Sequence, residues 1–281
     1  MVNIFKNKVV LITGAGSLGT ALTEKLLDLD VKVIRAFDNN ENTLQDYRLK
    51  FKKKDGLIVR KILGDITDYN RILFACRDVD YVIHTAACKH VDLIEYNITH
   101  AINVNIQGTM NTIYACDEQN VKKFLFISSD KAVLPINFYG LTKAIGEKLT
   151  IWAHKISPGP MFSVIRFPNF MPSRGSVFEV WEEQCKAGEP LTITDENMER
   201  FFLPIEKCAE LCIKALEIMK GGEIFVPAHV EKHKIIDLAK KYSTSYVIIG
   251  RRPGEKLSEI MMSEYEVATA KREDEFWVLR P

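Results

Sequence analysis

A glycine-rich turn between a strand and a helix constrains the fold of this chain most strongly. The run VVLIT (9–13) is almost continuously apolar, as is typical of a parallel strand that is covered on both faces. Gly14, Gly16 and Gly19 follow it directly, and a helical segment comes next. This G-x-G-x-x-G spacing lets the backbone approach a diphosphate at the positive end of a helix. A glycine turn without a ligand is the alternative for the motif alone, but its setting predicts a dinucleotide-binding unit.

Strands and helices alternate over about the first 165 residues. The predicted segments are a helix from Leu18 to Leu29, a strand from Val31 to Phe37, three strands that begin at Leu57, Asp78 and Val121, and a long helix from Leu93 to Gln119. This alternation predicts an α/β fold with a doubly wound parallel sheet, that is, a Rossmann domain over residues 1–165. Proline and glycine then become more frequent, and short strands mix with helices. We therefore expect a smaller C-terminal α/β domain, residues 166–281, which binds the substrate.

Composition excludes several classes of function. The net charge of +1 gives no strong electrostatic attraction to nucleic acid or to an anionic membrane. No apolar run approaches the roughly 18 residues that a membrane span needs. The 6 cysteines form no C-x-x-C pair and no metal-ligand spacing, so buried, reduced thiols are expected. The composition therefore predicts a cytoplasmic protein with no metal site and no nucleic-acid or membrane partner.

Acidic and small residues after the next strands extend the cofactor site. Asp38 ends the second strand, where a carboxylate accepts from an adenosine ribose hydroxyl and repels the 2′-phosphate of NADP, so NAD is favoured. An ordinary turn residue is the alternative for Asp38. The residues expected to contact NAD or NADP are Gly14, Gly16, Ser17, Leu18, Gly19, Asp38, Asp65 and Ile66 at the adenine edge, Ala86 and Ala87 after the fourth strand, and Tyr139 and Lys143.

The segment SSDKAVLPINFYGLTK (128–143) follows the fifth predicted strand and carries four titratable groups. Tyr139 and Lys143 are four residues apart and share a helix face. The lysine ammonium is expected to lower the tyrosine pKa from its usual value of about 10. In a chain with 9 tyrosines, such a spacing arises by chance about once. Asp130 and Lys131 stand just upstream, either as a further acid–base pair or as a surface ion pair.

These motifs together resemble those of the extended short-chain dehydrogenase/reductase superfamily, and within it the inverting UDP-N-acetylglucosamine 4,6-dehydratase family of polysaccharide biosynthesis. The resemblance covers nearly the whole chain. It rests on SSDKAVLPINFYGLTK (128–143), AACKHV (86–91), SRGSV (173–177), MERF (198–201), GGEIFVP (221–227) and RPGEKLSE (252–259). Ser129 replaces the usual threonine and keeps its hydroxyl. Pro168 and Phe170 thicken a loop expected near the uracil or the sugar, which leaves the exact sugar open.

The resemblance implies a role for each titratable group. Tyr139, with Lys143, takes the proton of the sugar 4-hydroxyl while hydride passes from carbon 4 to the nicotinamide. Lys131 then removes the proton on carbon 5, and Asp130 protonates the departing 6-hydroxyl. Ser129 belongs to the same catalytic group. Tyrosine at position 139, where retaining relatives tend to have methionine, implies inversion at carbon 5.

The UDP-sugar substrate requires cations for its two phosphates. The expected substrate-binding residues are Lys89, Asn169, Arg174, Arg200, Arg252 and Glu255, with Glu255 orienting one of the arginines. For each arginine a surface charge is the alternative, and for Lys89 a solvated lysine. Relatives form dimers or larger rings, so a homo-oligomer is expected. A UDP-sugar 4-epimerase, which uses the same Tyr–Lys couple, is the alternative enzyme, and a non-catalytic NAD(P)-sensing protein is a remote one.

Overall fold

The structure, a computed structural model, describes residues 3–171 and 175–281. Its strands are β1 Val9–Thr13, β2 Val33–Asp38, β3 Val59–Leu63, β4 Tyr81–His84, β5 Lys123–Ser129, β6 Met161–Phe167, β7 Asn169–Met171, β8 Leu191–Ile193, β9 Glu199–Pro204, β10 Ile224–Pro227, β11 Glu231–Lys234, β12 Tyr246–Ile248, β13 Lys271–Glu273 and β14 Phe276–Leu279. Its helices are α1 Ser17–Leu27, α2 Glu41–Lys50, α3 Tyr69–Cys76, α4 Val91–Tyr96, α5 Ile98–Ala101, α6 Gly108–Glu118, α7 Phe138–Ile156, α8 Val177–Ala187, α9 Ile205–Ile218, α10 Ile235–Ala239 and α11 Glu264–Thr269. A π-helical turn covers Ile102–Gln107 and a 3-10 turn covers Asp130–Ala132.

A nine-stranded sheet organises the molecule, in the order β13-β14-β10-β6-β5-β4-β1-β2-β3. Strands β1 to β6 and β10 run parallel, and β14 and β13 are antiparallel. The predicted doubly wound α/β fold is confirmed. The apolar run of β1 follows from this architecture, because successive side chains point to opposite faces and both faces are covered.

Two hydrophobic clusters, one on each face of the sheet, cover β1. Val10 and Ile12 pack in the cluster that includes Leu22 of α1 and Cys212 of α9. Leu11 packs in the opposite cluster with residues of α3, α6 and α7. Burying one aliphatic side chain of this size contributes about 1.5–3 kcal/mol, so each face anchors β1 and the glycine turn that follows it.

The long helix predicted from Leu93 to Gln119 is wrong as a continuous element. It breaks at Asn97, whose φ of −123° and ψ of 50° lie outside the helical region. The Asn97 side-chain amide donates to the Leu93 carbonyl at 2.9 Å, so this polar side chain competes for a helix carbonyl. The chain then passes through α5 and the π-helical turn before α6 begins. A local sequence pattern gave no sign of this interruption.

The second half of the chain contributes strands both to the main sheet and to two small sheets. Strand β10 pairs with β6, and β14 pairs with β10, so this part completes the main sheet. Two small sheets, β11-β9-β7 and β12-β8, form a second layer whose core centres on Trp181. The predicted boundary between residues 165 and 166 falls inside β6, and the division into two domains stays a prediction. No helix in the described part of the chain has the length and apolarity needed to cross a bilayer.

Candidate active site

A cavity of about 1060 Å³ lies at the carboxyl ends of the parallel strands, between the glycine turn and the second layer. This is where open α/β sheets bind their ligands. The predicted site residues that line it are Gly14, Gly16, Ser17, Leu18, Asp38, Asp65, Ile66, Ala86, Ala87, Lys89, Ser129, Lys131, Tyr139, Lys143, Asn169, Arg200, Arg252 and Glu255. Gly19 and Asp130 lie behind its wall, and Arg174 lies outside the described residues.

The glycine turn fits a dinucleotide diphosphate. Gly14 has a φ of +85°, and a Cβ there would lie 2.6 Å from the Thr85 hydroxyl oxygen. A Cβ on Gly19 would collide with the Gly14 carbonyl oxygen. At Gly16 a Cβ would meet nothing within 4 Å, and no side chain caps the α1 N-terminus there. Packing therefore requires glycine at positions 14 and 19, whereas Gly16 leaves the backbone at the α1 N-terminus open to an anion.

Asp38 both fixes the glycine turn and lines the cavity. Its Oδ2 accepts from the Ala15 amide at 2.7 Å, and its Oδ1 accepts from the Asn40 amide at 2.8 Å. Each carboxylate oxygen has further lone pairs for a ribose hydroxyl. Nearby, Asn39 donates to Asp65 at 3.1 Å. Burial raises the pKa of Asp65, but hydrogen bonds from Thr67 and Asn39 outweigh it and hold the pKa below its usual value.

Asp130 and Lys131 form an ion pair at the end of β5, in which the carboxylate is buried and the lysine is partly exposed to the cavity. Asp130 is 0% exposed, and its Oδ1 accepts from the Ser129 hydroxyl at 2.9 Å and from Lys131 Nζ at 3.0 Å. Lys131 Nζ also donates to Asn169 Oδ1 at 3.0 Å, across to β7. The second carboxylate oxygen, Asp130 Oδ2, is buried without a hydrogen-bond partner among the described residues. An orphaned buried carboxylate oxygen is costly in a purely structural pair, which favours a functional one.

Tyr139 and Lys143 share the inner face of α7, but their electrostatics differ from the expectation. Burial and the Asp130 carboxylate raise the pKa of Tyr139 above its usual value, and the Ser129 hydrogen bond opposes this only in part. Lys143 Nζ donates to the Ile127 carbonyl at 2.7 Å and lies 4.7 Å from the centre of the Phe126 ring. The predicted lowering of the Tyr139 pKa by Lys143 is therefore wrong, because the ammonium is held by β5.

Asn105, in the π-helical turn, holds the loop after β4. Its Oδ1 accepts from the Cys88 amide at 2.8 Å, and its Nδ2 donates to the Cys88 carbonyl at 3.0 Å. Nδ2 also donates to the Thr142 hydroxyl on α7 at 3.0 Å. The wider π-helical turn occurs often at functional sites. Here Asn105 joins the loop Ala86–Lys89 to the helix that carries Tyr139.

On the substrate side, the arginines have different environments. Arg200 is 7% exposed, and its guanidinium donates to the carbonyls of Glu199, Lys256 and Leu257 at 2.8–3.1 Å. Glu255 lies 3.7 Å from it. Arg200 therefore holds the loop that carries Arg252. Arg252 is exposed at the cavity wall, as is Lys89, so both have room to reach a phosphate.

Comparison with known proteins agrees with this geometry. The model of a family described as "Polysaccharide biosynthesis protein" matches residues 10–281. The chain belongs to this family. Its members are extended short-chain dehydrogenases/reductases, as the sequence motifs indicated, and the resemblance to them is confirmed.

Three of the most similar proteins align with almost the whole of this chain. The inverting UDP-N-acetylglucosamine 4,6-dehydratase of Campylobacter jejuni is 37% identical over 99% of this chain and 84% of its own. The UDP-glucose 4-epimerase of Rickettsia bellii is also 37% identical, over 95% of this chain and 81% of its own. The X-ray structure of Pen from Bacillus thuringiensis is 36% identical, with a TM-score of 0.92 over 98% of this chain and 90% of its own.

Several polar residues of this polysaccharide biosynthesis protein were missed by sequence reasoning. Asn137 caps α7, because its Oδ1 accepts from the Gly140 amide at 2.7 Å, and its Nδ2 donates to the Gly254 carbonyl at 2.8 Å. Lys256 Nζ donates to the Val133 carbonyl at 2.8 Å. These bonds join the loop with Arg252 to the loop after Asp130. An asparagine just before a helix is a recognisable cap signal, but its second bond joins residues 117 positions apart.

Proposed function

We propose that this protein is a nucleotide-sugar 4,6-dehydratase that converts UDP-N-acetylglucosamine to a 4-keto-6-deoxy sugar with inversion at carbon 5. The observation that carries the proposal is the Asp130–Lys131 pair, whose lysine lines the same cavity as Tyr139 and Lys143 and whose carboxylate is buried behind it. A 4-epimerase needs the Tyr–Lys couple but has no use for a second acid–base pair. The inverting dehydratase among the relatives supports this substrate and this stereochemistry.

The residues around the glycine turn and Asp38 would hold a dinucleotide cofactor, which accepts and returns the hydride. Tyr139 accepts the proton of the sugar 4-hydroxyl as carbon 4 is oxidised. Its raised pKa makes the phenolate a strong base. The Ser129 hydroxyl lies close enough to Tyr139 to oppose the rise of its pKa, and it donates a hydrogen bond to Asp130 Oδ1 at 2.9 Å.

The Asp130–Lys131 pair supplies both parts of the elimination. One proton passes from Lys131 Nζ to Asp130 Oδ1, two atoms that lie 3.0 Å apart, which leaves an amine and a carboxylic acid without changing the net charge of the pair. The amine of Lys131 then takes the proton from carbon 5, and Asp130 donates its proton to the departing 6-hydroxyl. The atoms lost from the sugar are those of one water molecule, and the pair ends as ammonium and carboxylate. Return of the hydride to carbon 6 and of a proton to the opposite face of carbon 5 would then give the 4-keto-6-deoxy product with inverted configuration.

The cofactor site favours NAD over NADP. Among the described residues that line its adenosine end (37–43 and 64–66), none is a lysine or arginine, whereas Asp38 and Asp65 are acidic. A 2′-phosphate would meet like charge without a cation to pair with it. Titration calorimetry with both cofactors tests this preference, and tighter binding of NADP would refute it.

Incubation with UDP-N-acetylglucosamine in deuterated water, followed by NMR, tests the reaction. We expect loss of water, a 6-deoxy methyl signal, a 4-ketone and deuterium on carbon 5 with inverted configuration. A product that differs only in the configuration of its 4-hydroxyl would establish the epimerase, which the Rickettsia bellii relative keeps as the second candidate. No change in the sugar with bound cofactor would favour a sensing role.

The substrate-binding assignments and the oligomer belong to the same proposal. Arg252 and Lys89 bind the diphosphate, Asn169 binds the sugar, and Arg200 with Glu255 holds the loop between them. Apolar side chains on α6 and α7 are solvent-exposed in a single copy, among them Tyr114 and Trp152 at 41% and 42%. Such a face supports a homo-oligomer, which light scattering after gel filtration would test. The cytoplasm remains the expected location.

A further inference from the structure

A buried charge network lies directly behind the proposed site and takes no part in the mechanism above. Arg166 on β6 is 2% exposed, and all five of its N–H donors have acceptors. Two N–H groups bind Glu147 at 2.8 and 3.0 Å, two bind Glu266 at 3.0 and 3.2 Å, and the fifth binds the Met261 carbonyl at 2.9 Å. One arginine thus joins α7 to the C-terminal helix α11.

Glu147 connects this network to the proposed catalytic residues. It is 6% exposed and lies four residues after Lys143, hence on the same face of α7. Its Oε1 also accepts from the Ser128 hydroxyl at 2.6 Å, one residue before Ser129. The glutamate therefore touches the strand end and the helix that together carry the site.

Charge balance links Lys143 to this network, in which Glu147 is buried and Glu266 is partly exposed. Arg166 is always charged and faces two carboxylates, Glu147 and Glu266, so this trio alone carries one negative charge. A protonated Lys143 on the neighbouring turn brings the buried sum to zero. An uncompensated buried charge is strongly unfavourable, so the network and the ammonium stabilise each other.

We propose that Glu147 is a positioning residue that serves as the buried counter-ion of Lys143. Arg166 and the Ser128 hydroxyl hold the glutamate in place for this task. The proposal rests on the proposed function and deepens it, because Lys143 lines the cavity that is proposed to hold the cofactor and the sugar. It also assigns a role to α11, because Glu266 on this helix accepts two hydrogen bonds from Arg166 and so holds its guanidinium in place.

The other groups around Lys143 do not provide this counter-charge. His84 on β4 is fully buried, and burial together with Lys143 lowers its pKa to about 3, so it is neutral. Asp130, in the turn after β5, is bonded to Lys131. Burial lowers the pKa of Lys143 to about 8, and Glu147 opposes that change. Without the glutamate the pKa of Lys143 falls further.

Urea unfolding at pH 6 and pH 10 tests the counter-ion role without any enzyme assay. At pH 6 Lys143 is charged and needs Glu147, whereas at pH 10 it is neutral in the folded protein. We expect the penalty of Glu147→Gln on the unfolding equilibrium constant to be about tenfold smaller at pH 10 than at pH 6, as for a pKa decrease of about one unit. In a Lys143→Met background the penalty should be the same at both pH values.

Glu223→Gln is the matched control. Glu223 is 1% exposed and accepts from the Ser163 hydroxyl at 2.7 Å, so it repeats the buried Ser–Glu arrangement next to β6 without facing Lys143. Burial lowers the pKa of Lys123 and Glu223 opposes that change, so this control is made in a Lys123→Met background, where Glu223→Gln should destabilise equally at both pH values. An equal penalty of Glu147→Gln at both pH values, or the same pH dependence in the Lys143→Met background, would overturn the proposal.

Turnover provides a second measurement. If dehydration is the reaction, the alkaline limb of the kcat–pH profile should shift to lower pH by about one unit in Glu147→Gln. In Glu223→Gln it should not shift. An unmoved limb would contradict the proposal. A protein that dehydrates no sugar would refute the proposed function, and the unfolding comparison would still decide the role of Glu147.

Discussion

Replacing Asn105 by alanine should weaken both folding and cofactor binding. The side chain is 2% exposed and makes three hydrogen bonds, two with the backbone of Cys88 and one with Thr142. Each bond is worth about 1 kcal/mol net, and a buried group left without a partner costs about 1–3 kcal/mol. Water entering the space left by the side chain offsets part of that cost. We therefore expect the free energy of unfolding to fall by about 3 kcal/mol.

Cofactor affinity should fall as well, because Asn105 holds the loop that contains Ala86 and Ala87. A loop freed from its anchor must be ordered again when the cofactor binds, and we expect at least about a tenfold rise in Kd. Urea denaturation measures the first effect, and titration calorimetry measures the second.

Ile113→Ala is the matched control for Asn105→Ala. Ile113 is 3% exposed on α6 and packs in the core, away from the cavity, and its truncation costs about 2–5 kcal/mol. This control should lose stability while its cofactor affinity stays unchanged. The reasoning fails if Asn105→Ala costs less than about 1 kcal/mol, or if its Kd changes no more than that of Ile113→Ala.

Three further outcomes can be checked with single variants. Lys131→Met should lower the dehydration rate by at least about 10²-fold, since it removes the base, while calorimetry finds cofactor binding unchanged; a fully active variant would refute the assigned role. Gly19→Ala should weaken cofactor binding and lower the melting temperature, because its Cβ meets the Gly14 carbonyl oxygen; unchanged calorimetry and melting would show that the turn adjusts freely. The pKa of His84 is lowered from 6.5 to about 3 by burial, so the stability that this shift provides is present above pH 6.5 and is lost as the pH falls toward 3. At about 1.4 kcal/mol per unit the loss is on the order of 5 kcal/mol, and urea titrations of His84→Gln should lack that part of the decline.

The sequence predicted the parts of the fold that depend on local patterns. The glycine turn needs a strand before it and a helix after it, and both are encoded within about 20 residues. The fold class and the family followed from such segments. The break at Asn97 could not be foreseen, because an asparagine within a helical pattern is usually tolerated. The pairing of β10 with β6 could not be foreseen either, since it depends on partners far apart in sequence.

The same distinction holds for the site. Lys131 and Tyr139 line one cavity, and Asp130 lies behind its wall, because all three follow the end of β5. The motifs could not predict that Lys143 bonds to a backbone carbonyl of β5, or that burial raises the pKa of Tyr139. Those properties depend on the three-dimensional surroundings. Arg200 was predicted as a cation for the phosphates, but two of the three carbonyls that it binds, those of Lys256 and Leu257, lie more than 50 residues away in sequence.

The late pairing of β10 has a consequence for how the chain folds. Ile224 lies opposite Val164, so the edge of β6 has no partner until about sixty further residues have been synthesised. An open parallel edge can pair with another chain, and contacts of such long sequence separation form slowly. We therefore expect truncation before Ile224 to yield an aggregating product, even though the glycine turn and the Asp130–Lys131 pair are already encoded upstream.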